Sequence, residues 1–475
     1  MRLIKLCVLC LTISQFTPSL AATIIINNTD GAGEGFNATD QPNANQVGNN
    51  PGANLGEMRM NVFVAAANVW AGLLQSDVTI TVSAAFDPKP CNANGGTLGS
   101  AGATSSWANF TGGDPSTAYH VALAEALFGA NLNGSSAEIN ATFSSTVDDD
   151  PECLTGMGFY YGLDGAVPAG LTDLYPVVLH ELGHGLGFSS ISDVGPGGTG
   201  DFVGAGGFPD SFSKNLHDLE AGLSWGDMTS IQRLASALND PDLVWMGPEV
   251  TADRVNWLGP APELVINTPE SIAGTYPAIL GVEPSIIMPA SGATGPVTDG
   301  DTLTNDCINF GGSQAGRIVL HEYDVACGAS VRAFYAEFAN SASGVVVSNT
   351  EATGLPDMGP QISNQEVTIP HIGVTKSVGD AIRANIGTAN VTIRNSPTVK
   401  SGENAGKVRM YAPSAYEVGS SISHFTTAAT PDLLMEPRLG TLPLNQVDLT
   451  LPAFYDMGWS AIGFVKEIFA DGFED

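Results

Sequence analysis

The chain has 475 residues, 43% of them apolar and 14% charged, with 49 acidic against 17 basic side chains and a formal net charge of -32. The apolar fraction is enough to build real cores, which argues against a disordered polymer, and the length suggests roughly two to four domains. Phosphate backbones and anionic lipid are bound through clustered Lys and Arg, so a chain this acidic is not expected to bind nucleic acid.

The first 21 residues read as a signal peptide: Arg2 and Lys5, an apolar stretch from Leu6 to Phe16, and a small-residue cleavage site at Ser19-Leu20-Ala21. That stretch is too short to cross a bilayer, and no later segment supplies about 20 uninterrupted apolar residues. The expectation is a secreted or extracellular protein with no transmembrane segment. Cleavage removes Cys7 and Cys10 and leaves Cys91, Cys153, Cys307 and Cys327 in an oxidising setting. Two disulfides are expected. Several pairings are open, and the wide gap between the two pairs favours Cys91 with Cys153 and Cys307 with Cys327.

Thr23 to Ile26 is a β-branched run, and Leu55 to Leu74 places Met58, Val62, Ala66, Ala67 and Trp70 at helical spacing. Strands are expected at Val78 to Val82 and Ala137 to Ser144, with loops over Asn28 to Asn54 and Cys91 to Gly113. Then comes Leu174 to Phe188, LYPVVLHELGHGLGF. In a helix His180 and His184 lie one turn apart on one face, where both can coordinate a single Zn2+. Glu181 is placed to act on a water at the metal. Thr172 or Asp173 can cap this helix, Pro176 is tolerated in its first turn, and glycine ends it near Gly187. Its three closely spaced glycines have no packing reason legible in the sequence.

A catalytic zinc site needs a third protein ligand and an open position. The compact metzincin pattern would place its third His at position 190, which is Ser190. His120, His217, His321, His371 and His424 remain. His217, in Lys214 to Asp218, reads as part of a polar surface helix, with Glu220 as an alternative carboxylate ligand.

From Pro262 to Ile386 strands and helices alternate as in a small covered sheet: strands Ala278 to Val282, Arg317 to Leu320 and Gly344 to Ser348, helices Ser330 to Asn340 and Lys376 to Asn385. The Cys residues flanking Gly316 to Leu320, the Gly-Val-Val-Val-Ser strand and the Ile-Pro-His-Ile-Gly stretch resemble a protease-associated domain. Such domains are non-catalytic and act in substrate access or protein interaction. His321 and His371 are then ordinary domain residues.

His424 lies in GSSISHFTTAATPDLLMEP, where a Leu-Met-Glu-Pro turn follows it. Together with HELGHGLGFSS, this combination resembles the leishmanolysin-type metzincins. The resemblance implies His180, His184 and His424 as zinc ligands, Glu181 as general base and Met435 as the structural floor of the site. It also implies an α+β fold, a metzincin-like zinc peptidase domain interrupted by a small α/β protease-associated domain. The expected layout is a signal peptide over 1–21, the first part of the metallopeptidase domain with the HExxH helix over 22–261, the insert over 262–395, the second part with third ligand and Met-turn over 396–462, and a tail over 463–475.

The chemistry that follows is zinc-dependent endopeptidase action on protein or peptide substrates. The other reading is a non-catalytic exported binding or surface protein on the same scaffold, against which the intact Glu181 argues. Asp299, Asp301 and Asp306, or Asp148 to Asp150, offer oxygen ligands to Ca2+, although neither run has EF-hand spacing and acidic turns are ordinarily just solvated.

Overall fold

A computed structural model describes residues 21–460 apart from 94, 157, 282–285, 302–311, 325–326, 339, 353, 357, 359–366 and 439–444. The expected signal peptide up to residue 20, Asp306, Cys307 and the tail 463–475 lie outside the described residues. The chain is a mixed α/β protein with several sheets. It divides into two compact units, one comprising Met1–Leu238, Ala415–His424 and Thr441–Asp475, the other Asn239–Ser414 and Phe425–Gly440.

In the first unit, β1 (Ile24–Asn28), α1 (Leu55–Leu73), β2 (Ile80–Asp87), β3 (Gly99–Ala103), α2 (Val121–Phe128), β4 (Ile139–Ser144) and α3 (Leu174–Gly185) follow in chain order. The sheet order is β1-β2-β4-β3. The first three strands are parallel, with Ile24 opposite Ile80 and Val82 opposite Ile139, whereas β3 runs antiparallel along the edge with Ala101 opposite Ala141. β3 falls inside the stretch expected to be a loop, because GSAGA has no β-branched residue; pairing with β4 makes it a strand regardless of that weak propensity.

α1 buries Met58, Val62, Phe63, Ala66, Ala67 and Trp70, the stripe that its spacing required. Each large side chain there is worth about 1.5–3 kcal/mol of burial. Phe63 meets Phe143 of β4 edge to face at 4.7 Å between ring centroids. The Cys91–Cys153 disulfide closes the segment between β2 and α3. Cys327 is also disulfide-bonded.

The second unit is built on β5 (Pro260–Thr268), β6 (Gly274–Pro277), β7 (Ile279–Leu280), β8 (Ala293–Asp299), β9 (Ile318–Glu322), α4 (Ala329–Phe338), β10 (Gly344–Ser348), β11 (His371–Val374), α5 (Lys376–Arg383) and β12 (Asn390–Lys400). Among the described residues these strands form one sheet ordered β6-β5-β12-β8-β9-β10-β11-β7. Its β8 to β11 run parallel with helices between or after them, while β5 and β12 pair antiparallel where the chain enters and leaves. Buried on both faces, β10 reads as an uninterrupted apolar run, as parallel strands do.

Three of the acidic residues considered for calcium have partners within the protein. Asp299 and Asp301 bind Arg383, Asp301 also binds Arg332, and Asp148 binds Arg59 and Tyr161. Among the described residues no helix is long and apolar enough to cross a membrane.

Candidate metal centre

Helix α3 is fixed from both ends. Asp173 caps it, its carboxylate accepting the Tyr175 N–H at 3.0 Å, and Pro176 sits in the first turn where no intrahelical partner is lost. Trp70 of α1 donates its indole N–H to the Leu179 carbonyl at 3.0 Å, and Trp459 donates to the Leu186 carbonyl at 3.1 Å. One of the glycines has a packing reason. A Cβ on Gly185 would stand 2.4 Å from Cγ2 of Ile139, so the missing side chain lets the helix lie directly on β4. Gly187, at φ +123°, then redirects the chain.

His180 and His184 leave one face of α3, and His424 arrives from the segment Ala415–His424 of the same unit, 240 positions from His184. All three rings are buried. Nε2 of His184 lies 3.1 Å from Nε2 of His180 and 3.1 Å from Nε2 of His424, and the third edge is 3.3 Å. Nδ1 of His184 is 2.7 Å from the Phe188 carbonyl, and Nδ1 of His424 is 2.7 Å from the Ser420 carbonyl. A carbonyl only accepts, so each Nδ1 carries a proton and each neutral ring presents a lone pair at Nε2.

Two of the rings are held neutral. Burial first, then His180, takes His184 down to about 3, and burial with the two neighbouring rings holds His424 well below the ordinary histidine range. The Nε2 lone pairs of His184 and His424 cannot satisfy one another across 3.1 Å, and a cation can satisfy them. In tetrahedral zinc coordination with Zn–N bonds of about 2.0–2.1 Å, neighbouring nitrogens stand about 3.3–3.4 Å apart. The observed triangle fits that donor set, and these are the residues among those described that are grouped to hold a metal.

Glu181, one residue beyond His180 on α3, is held by β3, where its Oε2 accepts the Ala101 N–H at 2.8 Å. Gly99 permits that approach, since a Cβ there would stand 3.1 Å from Cγ of Glu181. Burial pushes the Glu181 carboxyl up to about 7, against the opposing pull of the Ala101 N–H and of the positive Lys89. A group poised near neutrality is suited to accept and return a proton. The partner of Glu181 is a backbone amide on a strand without a propensity signal, so sequence reasoning had no means of finding it.

The other histidines stand apart from this group. His217 is in a short strand, Leu216–Asp218, and not in the surface helix expected there; its Nδ1 is 3.2 Å from Ser224 Oγ. Asp210 takes the backbone N–H of Ser213, and the Lys214 N–H closes on the Asp210 carbonyl, so the helical part is a single 3-10 turn, Ser213–Asn215, that ends before His217. His120 is buried with Nε2 3.1 Å from Ser189 Oγ. His321 and His371 are buried in the second unit, on β9 and β11. Met435 is also buried in the second unit, where its carbonyl accepts the Phe425 N–H at 2.8 Å.

No protein-family model matches the chain, and no curated protein matches it. Among solved structures it is similar to a zinc aminopeptidase from Bacillus subtilis, at 19% identity over 31% of this chain and 36% of that one with a TM-score of 0.22. It is similar to a peptidase M28 precursor from Shewanella amazonensis, at 18% identity over 29% and 34% with a TM-score of 0.24. A psychrophilic subtilisin-like protease from an Antarctic Pseudoalteromonas matches at 17% identity over 32% and 35% with a TM-score of 0.22. The chain spans about a third of the length of these structures.

The neighbours are zinc aminopeptidases and a subtilisin-like protease, not leishmanolysin-type peptidases, which corrects the metzincin reading of the motifs. An HExxH helix specifies two ligands and a base on one helical turn, and nothing about the fold around them. The floor role of Met435 was implied by that resemblance alone and is not carried further. What stands is a distant, partial similarity to zinc peptidases and a buried His180, His184 and His424 cluster able to hold a metal.

Proposed function

We propose that the chain is an exported zinc-dependent peptidase that cleaves peptide bonds within protein substrates, with His180, His184 and His424 holding the metal and Glu181 as general base. The observation that carries this reading is the convergence of three buried Nε2 atoms beside a buried carboxyl pushed up to about 7. Bound zinc supplies Lewis acidity, lowering the pKa of a water at its open position and polarising a carbonyl. Glu181 takes the proton from the attacking water and returns it to the departing amine. A divalent charge nearby favours its carboxylate form, which is the form that accepts. The Ala101 N–H holds the carboxylate in place while it does so.

Export is supported by the N-terminal signal pattern and by the Cys91–Cys153 disulfide, which persists in oxidising compartments. The α/β unit over 262–395 is read as a protease-associated insert that governs access of protein substrates. The test is casein hydrolysis by purified mature protein, with and without chelator, with bound zinc quantified in wild type and in Glu181→Ala. The variant is expected to keep one zinc and to lose activity by about 10²–10⁴-fold. Zinc without hydrolysis in the wild type returns the chain to the binding-protein reading.

A further inference from the structure

His180 and His184 are placed by the helix that carries both, whereas His424 belongs to a segment far away in the chain; the Ser420 carbonyl orients its ring, and the segment itself must still be held against the turn after α3. We propose that Asp210 is a positioning residue for His424, acting through a directed chain of serine hydroxyls that fixes Ser190 and through it Ser423. The inference rests on the metal reading of the three histidines.

The link nearest the ligand is a hydrogen bond from the Ser190 N–H to Oγ of Ser423, at 3.2 Å, one residue before His424. Ser190 is itself held by its side chain, with Oγ 2.7 Å from Oγ of Ser213 and 2.6 Å from Oγ of Ser192. Ser213 Oγ lies 2.7 Å from Oδ2 of Asp210, which also accepts the Ile191 N–H at 2.8 Å, while Oδ1 accepts the Ser213 N–H at 2.8 Å. Asp210 and Ser213 are fully buried.

Oδ2 of Asp210, which also takes the Ile191 N–H, accepts from Ser213, and that sets every proton in the chain. Ser213 donates to Asp210, Ser190 donates to Ser213, and Ser192 donates to Ser190. Bonds to a buried charge are stronger than neutral ones, and linked hydroxyls reinforce each other. The result is a rigid brace between the turn after α3 and the residue next to His424.

The experiment measures the zinc dissociation constant of the mature chain by competition with a chromophoric chelator, and the Tm of the metal-free protein, in wild type, Asp210→Asn and Ser423→Ala. Asn keeps the shape of Asp but turns an NH2 group onto donors, which breaks the chain. Zinc affinity is expected to fall about 10–100-fold in Asp210→Asn, as for other groups that orient metal ligands, and several-fold in Ser423→Ala with little change in metal-free Tm. A lower metal-free Tm in Asp210→Asn with an unchanged zinc constant would make Asp210 merely structural and overturn the proposal. Should Asp210→Asn fail to fold, an unchanged constant in Ser423→Ala overturns it alone. A wild type that binds no zinc removes the metal reading and this one together, whereas zinc binding without peptidase activity removes only the proposed activity.

Discussion

Each unit of this protein buries a cluster of titratable groups, and the two are assembled on opposite principles. In the first unit His180, His184 and His424 face nitrogen to nitrogen, with no charge of opposite sign in the group. In the second, Asp301 meets His321 at 3.3 Å, Arg332 at 2.7 Å and Arg383 at 3.1 Å, while Asp299 takes Arg383 at 2.8 Å. Against the burial that would raise it, Asp301 is held below the usual carboxylate range by His321, the Glu322 N–H and Arg332. The second cluster pairs its carboxylates with cations of its own, Asp324 and Glu322 adding to the contacts of Arg332 and Arg383. The first offers converging nitrogen donors that could hold a cation, and that difference separates a candidate site from a structural network that sequence composition alone makes look equally functional.

The comparison breaks most sharply at His424. Removing it takes one corner from the triangle, so His424→Ala should lose both zinc and peptidase activity to background, while His217→Ala, outside the triangle, should leave both nearly unchanged. Metal content by atomic absorption and casein hydrolysis measure the pair. Full zinc stoichiometry in the His424 variant would mean that the converging nitrogens are not the ligand set.

A change of intermediate size belongs to the other cluster. Arg383→Ala leaves Asp299 and Asp301 partly buried without one of their cations, which should cost about 1–3 kcal/mol, less than a fully buried pair because the guanidinium is partly exposed. Denaturant midpoints report it. The zinc content should not move, and a variant that loses zinc would show that the two clusters are not independent.

Much of the local structure was written in the sequence and much of the site was not. The α1 stripe, the Gly344 to Ser348 strand, the Asp173 cap and the His180 and His184 pair all follow from spacing or end chemistry, which act within a few residues. The contacts that complete the site join distant positions. The Ala101 N–H on Glu181, Gly185 against Ile139, and the run from Asp210 to Ser423 depend on how the sheet and turns stack, and no periodicity encodes them. The edge strand β3 and the short strand at His217 show the same failure in the fold: strand pairing overrode propensity. The family resemblance failed for a related reason, since short motifs describe chemistry that unrelated folds can share.

The smallest effect tests whether burial or capping dominates at the start of the site helix. Burial first, and then Asp164, raises Asp173 to about 6, while the hydrogen bond from Tyr175 opposes the rise. Its folded pKa therefore lies above the value of about 3.9 expected in the unfolded chain. A raised pKa contributes stability that is fully present below the unfolded value and is lost as pH climbs through the folded one. Asp173→Asn keeps an acceptor for the Tyr175 N–H, and Asn caps helices as well as Asp does, so the variant removes the titration and little else. The Tm of the variant relative to wild type should rise between about pH 4 and pH 6 and then level off, with thermal melts across that range as the measurement. A wild type that instead gains on the variant over the same interval would show that attraction between the ionised cap and the helix N-terminus outweighs the cost of burying its charge, so that α3 is anchored by charge and not by hydrogen-bond geometry.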